Sequence, residues 1–357
     1  AEGAGAGRRR MTRVAILGGG IGAQHLTAYG AVPGLDVVLV VDQDAVRRSE
    51  VEARGIATSP DILAAMADDI DLVDICLPPH LHAPVALQAL AAGKHVICEK
   101  PLATSLDDVD RIMAAAAKAN RRVFPVFQYR FGPAFDQLAA LRDAGLTGKP
   151  IAAALETHWS RGADYYSVPW RGTWEGEQGG AVLGHAIHAH DLMCHWIGPV
   201  RRVMASLGTR ANRIEVDDTA ALTFELDGGA LATSSITLGA ATDETRLRFV
   251  FEHLTATSHT SPYTPAEGQW SFAARDPARQ VDVDAASGAV THGPAGFAGL
   301  LTEIRRALAG GANRAVTLDD GAASIALVTA IYASARADAP VDLPLPPDHP
   351  MRKGWRP

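Results

Sequence analysis

Three histidines and an aspartate fall within seven positions of the stretch GGAVLGHAIHAHDL, residues 179–192. Imidazoles and a carboxylate so spaced can bind a metal, move protons, or pack as satisfied polar groups within a helix. On a helix, His188, Asp191 and His195 follow steps of three and four and share one face. His185 sits one turn before His188, and His190 points away from that face. No HExxH pair or cysteine cluster accompanies them, so no metal site is expected. An imidazole with an ordinary pKa of ~6.5 suits a base that takes a proton from a hydroxyl group.

Two more clusters carry chemistry. DLVDICL (71–77) runs into Pro78-Pro79-His80-Leu81-His82, and HVICE (95–99) runs into Glu99-Lys100-Pro101-Leu102. A lysine just past a buried strand can stabilise negative charge developing on a substrate oxygen. The third cluster is VAIL followed by Gly18-Gly19-Gly20-Ile21-Gly22-Ala23. Gly18-x-Gly20-x-x-Ala23 fits the dinucleotide fingerprint, in which the first glycine makes a tight turn and the second admits a pyrophosphate. The small Ala23 is expected to let helix and strand pack closely. Asp42, 20 residues beyond Gly22, ends the next strand, where a carboxylate accepts ribose hydroxyls and repels a 2′-phosphate. NAD is favoured; Arg47 and Arg48 nearby keep NADP possible.

These residues need elements to position them. Strands are expected at 14–17, 36–41, 71–77, 95–99 and 122–128. Helices are expected at about 22–29, at 59–69 with an N-cap serine and first-turn proline, at 84–92, and at 105–120 with Ser105 and Asp108 as a capping pair. This alternation implies an α/β doubly wound parallel sheet. Residues 133–145 read as a connecting helix and 149–159 as a strand. An irregular, aromatic-rich segment follows, with Arg161, Tyr165, Tyr166, Trp170, Arg171 and Trp174. Residues 179–197 read as one helix. Strands follow at 200–207, 215–226, 230–238 and 246–254, with Asp227-Gly228-Gly229 as a hairpin turn. Residues 255–268 read as a long loop over the substrate site or a subunit edge. Helices at about 297–309 and 319–336 close the chain.

Composition bounds the function. The chain has 357 residues, enough for two domains at ~100–200 residues each, with 47% hydrophobic and 20% charged residues. A net charge of −7 without long runs gives no support to nucleic-acid or anionic-membrane binding. No apolar stretch approaches the ~20 residues of a membrane span. Cys76, Cys98 and Cys194 form no CxxC pair, which fits a reduced, cytoplasmic setting. Residues 1–10, AEGAGAGRRR, read as a disordered extension or tag remnant. The VAIL run after them is too short for a signal core of ~7–15 residues.

Taken together, VAILGGGIGAQH (14–25), VVDQD (40–44), DLVDICLPPHLHAPVALQALAAGKHVICEKPLA (71–103) and GGAVLGHAIHAHDL resemble the glucose–fructose oxidoreductase/inositol dehydrogenase (Gfo/Idh/MocA) family. The EKP triplet is the most specific of these. The resemblance implies an NAD-binding Rossmann domain over 11–131. It also implies a substrate-binding and oligomerisation domain over 132–357, α+β with a large open, mostly antiparallel sheet, and a homodimer or homotetramer. It implies cofactor contacts from Gly18, Gly20, Ile21, Gly22, Asp42, Pro78, His82, Glu99 and Lys100, with a cis proline at Pro101. Lys100, His188 and Asp191 fall at its catalytic positions. Gly184 departs from the pattern, which usually carries an aspartate there. The implied activity is hydride transfer between nicotinamide and a secondary alcohol of a sugar, polyol or glycoside. His188 is expected to take the proton, Lys100 to stabilise the alkoxide, and Asp191 to orient His188 or bind a neighbouring hydroxyl. Tyr129, Tyr166, Trp170 and His185 are candidates to contact the sugar. Two alternatives stay open: an NAD-dependent glycosidase or lyase that oxidises its substrate transiently, and a non-catalytic NAD-binding sensor.

Overall fold

Continuous apolar runs can be buried only in a sheet covered on both faces. The computed structural model describes residues 11–357; the reading of residues 1–10 lies outside the described residues. Six strands, β1 (Thr12–Leu17), β2 (Leu35–Val41), β3 (Ala57–Ser59), β4 (Leu72–Ile75), β5 (His95–Cys98) and β6 (Val123–Pro125), form a parallel sheet in the order β3-β2-β1-β4-β5-β6. The order reverses between β1 and β4, which opens a crevice beyond their carboxyl ends. Helices α1 (Gly19–Tyr29), α2 (Ala45–Glu52), α3 (His82–Ala91) and α4 (Leu106–Ala119) connect these strands. Ser105 caps α4 by accepting the Asp108 N–H at 3.1 Å, and Asn120 closes it in the left-handed conformation.

The helix expected at 59–69 is different. Ser59 ends β3, paired with Val41. Asp61 takes the capping role, and only a short 3-10 turn follows, Ile62–Met66. The helix α2 was not foreseen, because its mixed polar sequence AVRRSEVE buries no residue.

Helix α5 (Pro133–Asp143) leads into an eight-stranded sheet. Its strands are β7 (Pro150–Ser160), β8 (Val200–Gly208), β9 (Thr219–Leu226), β10 (Leu231–Thr237), β11 (Gly239–Phe251), β12 (Leu254–Ser258), β13 (Trp270–Ala274) and β14 (Val341–Asp342), ordered β13-β12-β11-β7-β10-β9-β8-β14. Only β7 and β10 pair in parallel. Buried and exposed residues alternate along β9 and β10, so one face is covered and the other open. Helix α6 (Ile187–Trp196) lies on the covered face, where His190 meets Phe224 edge-on at 5.5 Å and Ser234 at 3.1 Å.

The strand expected from residue 215 starts only at Thr219, because Asp217 and Asp218 spend their carboxylates on backbone N–H groups of other segments. Residues 255–258, read as loop, belong to β12. The strand β13 and helix α7 (Gln280–Gly288) were also not foreseen. The last long helices join the two sheets. Helix α8 (Gly296–Leu308) lays Phe297 against His25 of α1, with ring centroids 4.4 Å apart. Helix α9 (Leu318–Ala337) packs on β8 and reaches β6, where a side chain at Gly321 would strike Pro125 at 2.5 Å.

Candidate active site

The glycine turn after β1 is shaped for a dinucleotide. Gly18 has φ of +95°, and a Cβ there would lie 2.5 Å from the Cys76 carbonyl oxygen. Space around Gly20 is open, so a phosphate can approach the backbone and the first N–H groups of α1. Close packing of α1 on the sheet falls to Gly22, whose Cβ would meet Ile16 at 2.9 Å. Ala23, expected to fill that role, is exposed, and Ile21 stands at the surface of the first turn. Asp42 accepts the Gly19 N–H at 2.6 Å and the Asp44 N–H at 2.7 Å. Burial disfavours its charge, but those N–H groups and Arg47 outweigh it and hold the carboxyl below its ordinary range. Arg47 lies 3.4 Å from this carboxylate, and Arg48 donates to the Asp42 carbonyl at 2.8 Å. The residues therefore fit a dinucleotide with a free ribose 2′-hydroxyl.

Beyond β5, the Lys100–Pro101 peptide is cis. The Lys100 ammonium donates to the Gly184 carbonyl at 2.7 Å, crossing from the first sheet to the segment that carries the histidines. Burial lowers its pKa, opposed by Glu99 and Glu177. Pro78 caps the short turn Pro79–Leu81. His82 is fully buried, and its ring nitrogens face the carbonyls of Pro101 at 2.6 Å and Leu77 at 2.7 Å. Burial lowers its pKa, so the ring is neutral and donates to one of these carbonyls while it packs between the two loops.

Glu99 is likewise turned inward. It accepts from His25 Nε2 at 3.0 Å, while His25 Nδ1 meets Asp74 at 2.9 Å. Burial opposes charge on His25, but Asp74 and Cys76 outweigh it and raise the pKa well above the ordinary value. His25, Asp74 and Cys76 are close enough to share a metal ion. However, the imidazole nitrogens are both spent on carboxylates, and burial pushes the Cys76 thiol up to about 12. The trio reads as a buried ionic support behind Lys100.

The helix expected over 179–197 begins as a wide π turn, Val182–Ala186, before α6. Asp217 fixes its start by accepting the N–H groups of Gly180 at 3.1 Å and Val182 at 3.0 Å, and the Tyr332 hydroxyl at 2.5 Å. A Cβ at Gly180 would lie 1.9 Å from the Asp217 carbonyl oxygen. Such turns often mark functional sites. His188 is buried, stacked on Tyr129 at 4.2 Å and edge-on to Phe127 at 5.9 Å. Burial, then the Lys100 charge, then His185 push its pKa well below the ordinary value. It is a neutral imidazole beside an ammonium group. Tyr129, a candidate to contact the sugar, supports this ring.

Asp191 does not orient His188. Arg130 grips both its oxygens, at 2.7 and 2.6 Å, and also reaches Asp320 at 3.1 Å. His195 is exposed and packs edge-on against Trp196. His185 is buried, 3.4 Å from the Tyr165 hydroxyl. Tyr165 in turn lies under the guanidinium of Arg171 at 3.8 Å and near that of Arg161 at 5.2 Å. Tyr166 touches Tyr165 edge-on, and Trp170, 38% exposed, stands at the rim beside Arg171. The loop at 259–268 sends Tyr263 over Trp159, where it bonds Asp243, the carboxylate paired with Arg161.

Comparison with known proteins decides the family. Residues 12–127 match the GFO/IDH/MocA oxidoreductase family, NAD-binding Rossmann fold, and residues 135–257 match the GFO/IDH/MocA C-terminal domain. The chain belongs to the Gfo/Idh/MocA family. It is 36% identical over 150 residues to inositol 2-dehydrogenase 1 of Saccharopolyspora erythraea, covering 39% of this chain and 43% of that one. It is 32% identical over 211 residues to levoglucosan dehydrogenase of Pseudarthrobacter phenanthrenivorans, covering 55% and 54%. The matched stretches thus span about half the length of these curated relatives. Among solved structures, the WlbA dehydrogenase of Bordetella pertussis in complex with NADH and UDP-GlcNAcA is similar, with a TM-score of 0.81. Its identity is 27%, over 94% of this chain and 100% of that one.

Within this Gfo/Idh/MocA chain, sequence reasoning missed Arg130, His25, Asp74, Glu177 and Asp217. Arg130, His25, Asp74 and Asp217 bond partners distant in sequence, and Glu177, bonded to Gly172 close by, acts on Lys100 by its charge. His25 alone left a local signal, a histidine three residues after Gly22 on the fingerprint helix.

Proposed function

We propose that this chain is an NAD-dependent dehydrogenase of a secondary alcohol on a sugar, cyclitol or related polyol. One observation carries the reading: the Lys100 ammonium reaches the Gly184 carbonyl, one turn before the neutral, buried His188. This contact between a loop of the first sheet and the segment that carries the histidines supports an acid and a base acting on one substrate hydroxyl. NAD, when bound, accepts hydride from the carbinol carbon. His188 takes the hydroxyl proton, and Lys100 stabilises charge on the oxygen. Tyr129 holds the imidazole plane. Arg130 and Asp191 lock α6 one turn further on. An assay that counts NADH against product tests this. Stoichiometric NADH supports a dehydrogenase, whereas product without net NADH indicates transient oxidation.

The pH profile follows from the two groups. His188 must be neutral, and its pKa lies below the ordinary 6.5, so activity falls only when acid protonates it below that value. Lys100 must be charged, and its pKa lies below 10.5, so activity falls as rising pH removes its proton. Alcohol oxidation is expected to show a wide plateau between these limits in kcat/KM. A single acid limb centred above pH 6.5 contradicts the assignment of the base.

NAD preference rests on Asp42. Asp42→Ala is expected to raise KM for NAD about tenfold or more, since it removes a charged acceptor of ribose hydroxyls. It also frees Arg47, 3.4 Å away, to meet a 2′-phosphate, so KM for NADP falls or holds. Steady-state kinetics with both cofactors checks this. We further propose that the open face of the eight-stranded sheet pairs copies of the chain as a dimer or tetramer, measurable by light scattering.

A further inference from the structure

Four buried side-chain nitrogens around this crevice have no partner: Nε of Arg161, Nε of Arg171, and Nδ1 of His185 and His188. The guanidinium nitrogens can only donate. Folded proteins seldom leave such groups unpaired, and here a ligand can pair with them, the guanidinium nitrogens as donors and the imidazole nitrogens as donor or acceptor by tautomer. The groups are physically linked. Arg171 lies over the Tyr165 ring at 3.8 Å, and the Tyr165 hydroxyl is 3.4 Å from His185. The charges of Lys100, Arg161 and Arg171 all reach His185.

The charge is not balanced within the pocket. Asp243 neutralises Arg161 at 2.9 Å. Arg171 has no ion pair among the described residues, and the nearby Glu177 holds the Gly172 N–H at 2.8 Å. Asp191 belongs to Arg130. Gly184 contributes no side chain, and a Cβ there would meet nothing within 4 Å. Open space, one guanidinium without an ion pair and unpartnered buried nitrogens therefore coincide beside Lys100.

Resting on the dehydrogenase reading, we propose that the substrate is a sugar acid, a uronate or aldonate. Its carboxylate is received by Arg171 and His185 while its carbinol lies between Lys100 and His188. With Lys100 assigned to the carbinol oxygen, Arg171 is the cation left for the acid group, and one positive charge matches a carboxylate better than a phosphate, which carries about −1.5 to −2 at neutral pH. A planar carboxylate also suits the guanidinium fork.

The test compares matched substrates: glucose with glucuronate and gluconate, galactose with galacturonate, and glucose 6-phosphate as the alternative anion. NADH formation is measured for the wild type, Arg171→Met and Gly184→Asp. The wild type is expected to favour an acid over its neutral aldose at least tenfold in kcat/KM. Arg171→Met is expected to reduce kcat/KM for the acid about 30-fold. Gly184→Asp places a carboxylate in the open space and is expected to lower the acid-to-aldose ratio at least tenfold. Preference for the neutral sugar or the phosphate overturns the proposal, as does an acid-to-aldose ratio that neither variant changes. NAD binding followed by fluorescence quenching separates the two readings. If NAD binds but no alcohol of any charge reduces it, the dehydrogenase reading itself fails.

Discussion

Lys100→Met and His188→Ala are each expected to lower kcat/KM by about 10²- to 10⁴-fold, the range for removing a positioned acid or base. Methionine keeps the apolar stem of Lys100 and removes only the charge and the donor to Gly184. Its loss should fall on turnover more than on NAD affinity, because the glycine turn and Asp42 remain. His188→Ala removes the base and the ring stacked on Tyr129. Added imidazole should restore part of that activity, an outcome that a purely structural histidine would not show. The double variant should lose little beyond the worse single one, since both groups act on one proton transfer. Near-wild-type turnover in both single variants, with NAD bound, would remove Lys100 and His188 from the chemistry.

Five of the six strands of the first sheet were legible because each is written locally, whereas β3, three residues long, was hidden in the segment read as the start of a helix. Apolar runs, the glycine turn and the Ser105 cap each lie within a few residues of what they specify. The second sheet was legible only in part. Strands β9 and β10 declare themselves by alternation around Asp227-Gly228-Gly229, whereas β13 is an edge strand of five residues, WSFAA, in which only Trp270-Ser271-Phe272 alternates. The site divides in the same way. Lys100 and His188 stand in recognisable strings, and the structure brings their segments together through Gly184. The partners of Asp191 and Glu99 did not show, because Arg130 and His25 lie 61 and 74 residues away. A polar residue announces its type in sequence but not which buried charge it will meet. Asp191 shares a helix face with His188, and the resemblance implies that it orients that ring or binds a neighbouring hydroxyl, yet both its oxygens are turned to Arg130.

That ion pair carries the largest expected effect on stability. Arg130→Met should destabilise the chain by about 3–5 kcal/mol, because it strands a buried carboxylate. Thermal unfolding should move down on the order of 5–10 °C. Arg130 is 8% exposed and Asp191 3%, so solvent cannot replace the lost contact. Asp320, the other partner, is 30% exposed and retains its capping contact with Thr317, so most of the penalty falls on Asp191. The sign of the pH dependence follows. An unpaired buried carboxylate has a folded-state pKa above that of the unfolded chain. The folded variant then holds a proton that the unfolded chain has released, so its deficit grows as pH rises from about 4 toward 7 and shrinks on acidification. Arg130→Met combined with Asp191→Leu should recover much of the loss, because no stranded charge remains. A single variant that unfolds at the wild-type temperature across that range would show that water reaches Asp191 after all, and that α6 is held in place by its apolar contacts alone.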